Sequence, residues 1–126
     1  MIRRSFMQLA LSCTVLALST PAALAKPAKT AKPGVVIQVS DDNPKTWNQA
    51  LNVVKNVQAE YGKDKVRVEV VVFGHGSGML KFDSALAGRV DETLENGAQV
   101  LMCENTMKGQ KLARADMLPK IGYVKA

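Results

Sequence analysis

Two alternating periodicities limit the folds open to this chain more than any other feature. Short β-branched or apolar runs recur at "GVVIQVS" from Gly34, "KVRVEVVVFG" from Lys65, "AQVLMC" from Ala98 and "IGYV" from Ile121. Segments with helical spacing lie between them. In "NPKTWNQALNVVKNVQAEYG", Asn43 is placed to cap and Pro44 suits the first helical position. Trp47, Leu51, Val54 and Gln58 then share one face beside Ala50 and Val57, and Gly62 is a natural stop. In "DSALAGRVDETLENG", Asp83 or Ser84 caps a helix that points Leu86, Val90 and Leu94 inward and ends at Gly97. A short helix can start at Asn105 or Thr106. The order β-α-β-α-β-α-β implies an α/β, three-layer domain with a mostly parallel sheet and right-handed crossovers. Parallel sheets need cover on both faces, which accounts for the continuous apolar strands. The second strand alternates at its start, Val66, Val68 and Val70 against Arg67 and Glu69, so that end is expected to be half exposed.

The chain opens on a targeting pattern. Arg3 and Arg4 precede the apolar run "FMQLALSCTVLAL", and Ala23-Leu24-Ala25 supplies the small-x-small site for cleavage. The run is short for a membrane anchor, and Ala10-Leu11-Ser12 ahead of Cys13 is a poor lipobox. Residues 1–25 therefore read as a signal peptide, 26–33 as a flexible exported tail ("KPAKTAKP") and 34–126 as one α/β domain. Export places the mature protein in the periplasm, with no membrane attachment after cleavage. Loss of Arg3 and Arg4 leaves 15 basic against 11 acidic side chains, a net of +4, and three of those lysines sit in the tail. The folded part is close to neutral and has no basic stripe interleaved with aromatics, which argues against nucleic acid as a partner.

Of two cysteines, Cys13 departs with the leader, so the mature chain carries one. It ends a strand, in "VLMCENTMKGQKL". Open parallel sheets bind ligands beyond the carboxyl ends of their strands, at the switch in strand order. The loops at that edge are "DDNP", "GHGSG" and "CENT", so the residues of chemical interest all fall there. Cys103 before a helix start gains N–H donors that favour a thiolate. Lys108 and Lys111 would help, and Glu104 would oppose. The alternative is a cysteine that packs in the core. His75, the sole histidine, could exchange a proton beside Cys103, or simply be an exposed loop side chain. Gly74, Gly76 and Gly78 lack both the phosphate-loop and the dinucleotide spacing and read as a tight turn. Asp41 and Asp42 read as helix-start acids. One Cys, one His and scattered acids give no zinc spacing, and the methionines read as core filler, so neither metal nor cofactor is implied.

"VVIQVSDDNPKTWNQALNVVKN", "FGHGSGMLKFDSALAGRV" and "CENTMKGQKLARADMLPKIGYV" together resemble the DsrE/DsrF-like family, specifically its small exported members, over Gly34 to Val124. The most specific part is Cys-x-Asn-Thr followed by Gly-Tyr-Val. The resemblance implies a flavodoxin-like fold and a homo-oligomer. It also implies a sulfur carrier or sulfurtransferase role, in which Cys103 accepts a persulfide sulfur and passes it on. Asn105 and Thr106 match the motif beside it, while His75 and Lys108 are supporting candidates from their positions alone. Partners would be donor and acceptor proteins or small persulfides. The alternative is a non-catalytic oligomeric or binding subunit with a structural cysteine. Relatives continue past the Tyr-Val pair into a closing helix, so one face or edge of the sheet is expected to be less covered here.

Overall fold

The computed structural model describes residues 31–125. The leader proposed for 1–25 and most of the tail at 26–33 lie outside these residues. Four strands form one sheet: β1 (Gly34–Val39), β2 (Arg67–Val72), β3 (Gln99–Cys103) and β4 (Gly122–Val124). All pairings are parallel, in the order β1-β2-β3-β4. Helices α1 (Pro44–Tyr61), α2 (Ala87–Glu95) and α3 (Glu104–Gln110) make the crossovers, with 3-10 segments at Gly74–Leu80 and Arg114–Asp116. This is the α/β, flavodoxin-like class with a parallel sheet that the sequence implies.

Local chemistry sets the helix ends. The Asn43 side chain accepts from the Lys45 N–H at 2.9 Å, Pro44 fills the first position, and Gly62 ends α1 at φ +86°. The Trp47 indole N–H donates to the Asp41 carbonyl at 2.7 Å, fixing the turn after β1. Two boundaries depart from the sequence reading. The second helix begins only at Ala87, because Ser84 is used one turn earlier: its carbonyl accepts from the Ala87 N–H and its hydroxyl from the Leu86 N–H. The "GHGSG" stretch is a 3-10 segment rather than a tight turn, with only Gly74 of its glycines at positive φ. Close approach is what Gly76 serves: a Cβ there would lie 2.7 Å from the Val39 carbonyl oxygen.

Sequential strand order decides which faces are covered. Each right-handed crossover moves one strand in the same direction, so the helices fall on one side of the sheet. Strand burial agrees. Val39, Val68, Val70, Val72, Val100 and Met102 point to the covered side and join Trp47, Leu51, Val54, Val90 and Met107 in one core. Their registered neighbours point to the other side: Val36 beside Glu69, Gln38 beside Val71, Leu101 beside Gly122, and Cys103 beside Val124. Among the described residues this second face has no helix over it, so the third layer and the two-sided cover that the sequence implies are not seen there. Val36 is 59% exposed there, and Val71 and Leu101 are half-buried. Its β2 end is polar, where Arg67 pairs with Glu69 at 3.1 Å. The expected half-exposed start of the second strand is this polar end. The described strands also contain no reversal of order, so no switch point locates a site. The carboxyl edge alone gathers the loops.

Candidate functional site

Cys103 closes β3 and forms the N-cap position of α3, which starts one residue earlier than the spacing suggests. It belongs to the open face, in register with Val124. Its fractional exposure is only 3%. A groove of about 470 Å³ nevertheless reaches it, lined by Gln38, Val71, Phe73, Cys103, Asn105 and Thr106. Three strands and a helix start therefore meet around the thiol. The lining holds no charged side chain.

Helix α3 is tied to the glycine segment. The Gly74 N–H donates to Thr106 Oγ1 at 2.9 Å, and Gln110 Nε2 donates to the Gly74 carbonyl at 2.8 Å. Ser77 Oγ donates to Gln110 Oε1 at 2.7 Å. Arg114 pairs with Glu104 at 3.1 Å and lies over the Tyr123 ring, 4.2 Å from its centroid. A cation thus offsets the carboxylate adjacent to Cys103, the one neighbour expected to oppose a thiolate.

The structure brings Cys103, Asn105 and Thr106 together and leaves two expected residues apart from them. His75 is exposed on the 3-10 segment and is not part of the groove lining. Lys108 is exposed in the last turn of α3 and also lies outside the lining. Gln38, Val71, Phe73, Ser77 and Gln110 were not legible as site residues. Only the alternating polar positions in the strands (Gln38, Arg67, Glu69, Gln99) hint at the open face to which the first three belong. Among the described residues no cluster of three or more His, Cys, Asp or Glu side chains could hold a metal ion. A larger groove, about 590 Å³, lies at the opposite sheet edge among Lys32, Lys63, Asp64, Arg67, Glu95 and Asn96. Its lining mixes charges and carries no thiol or imidazole, so size alone does not make it the chemical site.

No family model matches the sequence, and no curated protein matches it. Among solved structures, the chain is similar to a protein of unknown function from Methanobacterium thermoautotrophicum, with 26% identity and a TM-score of 0.70. The match covers 75% of this chain and 83% of that one. The likeness supports the fold and brings no activity with it.

Proposed function

We propose that this chain is an exported DsrE-like sulfur carrier that takes up a sulfane sulfur on Cys103 and passes it on. One observation carries the reading: the only cysteine outside the leader pattern stands at the carboxyl end of an interior strand, in the wall of an uncharged groove on the open sheet face. The groove has room for an added sulfur atom and for the thiol end of a donor or acceptor.

The chemistry is two matched displacements. The Cys103 thiolate attacks the terminal sulfur of a donor persulfide, R–S–SH. A new S–S bond forms, the donor's S–S bond breaks, and its electron pair leaves on the donor sulfur as a thiolate. Delivery is the same step with Cys103–S–SH as donor and an acceptor thiol as nucleophile. Sulfur changes partners with no net oxidation, so the exchange requires no cofactor. Backbone N–H groups at the start of α3 favour the anionic sulfur. Val71 and Phe73 give the groove an apolar wall beside it.

A second reading draws on the 3% exposure of Cys103. There the protein is a non-catalytic oligomeric or binding subunit, and the thiol is a small packing group. Polysulfide treatment of the folded protein, followed by intact mass spectrometry, separates the two. The carrier gains one sulfur atom, reductant removes it, and Cys103→Ser gains none while keeping its circular dichroism. A packing cysteine gains nothing until the chain is unfolded.

A further inference from the structure

Gln110 is an exposed residue at the end of a short helix, yet both atoms of its amide are engaged by the glycine segment 33 and 36 positions back in sequence. Together with Thr106 it takes up both backbone groups of Gly74. Gly74 directly follows Phe73, a wall of the Cys103 groove. On its other flank Phe73 is held by β1, since its N–H donates to the Val39 carbonyl at 3.0 Å. The wall is thus pinned from two sides, by the sheet through Phe73 itself and by α3 through Gly74. Gly74 sits at φ +56°, in the left-handed region where the chain changes direction, so its two bonds to α3 set the course of the backbone leaving the groove.

We propose that Thr106 and Gln110 are positioning residues that clamp the glycine segment onto α3 and so set the width of the Cys103 groove. This rests on the reading of that groove as the sulfur site and adds what controls entry to it. The clamp admits narrow species such as a persulfide terminus and holds out bulkier groups. Two replacements remove one bond each with little change in volume. Thr106→Val loses the acceptor for the Gly74 N–H. Gln110→Glu still accepts from Ser77 but has no N–H for the Gly74 carbonyl. Thr106→Ser keeps the hydroxyl.

The test compares alkylation of folded protein by iodoacetamide and by a pyrene-bearing maleimide. Thr106→Val and Gln110→Glu should raise the rate with the bulky reagent relative to the small one by roughly two- to tenfold, the shift in open population that one lost hydrogen bond gives. Thr106→Ser should stay at the wild-type ratio. A ratio that does not move in either variant overturns the clamp, including the case in which neither variant labels. Equal acceleration with both reagents, tracking a fall in Tm, overturns it as well, because that is global unfolding. Polysulfide uptake is scored separately on the wild type. A shifted ratio without sulfur uptake refutes the carrier reading and leaves the clamp. Sulfur uptake with an unmoved ratio does the reverse.

Discussion

Replacing Gly76 with alanine is the sharpest test of how the glycine segment seats on the sheet. The added Cβ would lie 2.7 Å from the Val39 carbonyl oxygen, 3.1 Å from its carbon and 3.2 Å from Val39 Cγ1, where ordinary contact begins at 3.4 Å. The obstacle is backbone, so no side chain can swing clear. Gly76 is not at positive φ, so space alone is tested. The same carbonyl accepts the Phe73 N–H, so displacing it strains the last bond between β1 and the end of β2. Overpacking of about 1–3 kcal/mol plus part of one hydrogen bond gives a loss of about 2–4 kcal/mol. For a domain of this size, that is a fall in Tm on the order of 10–25 °C. Urea and thermal unfolding measure it, with Gly109→Ala as the internal control. Gly109 lies inside α3 with nothing within 4 Å of its added Cβ, so alanine there should gain about 0.5–1 kcal/mol from helix propensity. A Gly76→Ala protein within about 0.5 kcal/mol of wild type would refute the close approach and the wall built on it.

Leu51 is fully buried between α1 and the sheet, and Leu51→Ala should cost about 2–5 kcal/mol in urea unfolding. Glu92 has its carboxyl pKa lowered by the hydrogen bond from Lys55 and then by that ammonium's charge, with a smaller contribution from Arg89. A depressed carboxylate stabilises above its unfolded pKa, and the gain is lost as pH falls through the folded value. Lys55→Met should therefore weaken the fold slightly at neutral pH and low salt, and the difference from wild type should vanish in acid or in molar salt. Native hydrogen exchange should protect Val100 to Met102, interior to the sheet, more than Gly122 to Val124 at its edge.

The elements were legible because local chemistry and burial agree. Pro44 and Gly62 bracket α1 at the positions their dihedral preferences dictate, and the valine runs became strands. The start of α2 was misplaced because Ser84 can serve either a helix cap or the preceding turn, and only tertiary packing selects between them. The open face was harder to see. A β-α-β order fixes parallel pairing but not strand sequence in the sheet, and the sequential order leaves Gln38, Val71 and Cys103 on the face without helices. Position at the strand end marked Cys103. His75 is the exposed loop side chain that its sequence position allows, and Lys108, which the helix after Cys103 brings near in sequence, faces solvent outside the groove. Gln110 carried no signal at all, since a polar residue near a helix end reads as solvated until the glycine segment is packed beside it.

The central claim is that the fold makes a sulfur site around Cys103, and comparing one rate in two states tests it most directly. Wild-type protein is exposed to polysulfide at fixed pH, once folded and once in urea, and the gain of one sulfur atom is followed by intact mass spectrometry. A thiol served by the α3 N–H groups and reached through the groove should be persulfidated in the folded state at least as fast as in the unfolded chain. Persulfidation confined to the unfolded chain, with the folded protein unmodified, would contradict the account and leave Cys103 as a packing residue.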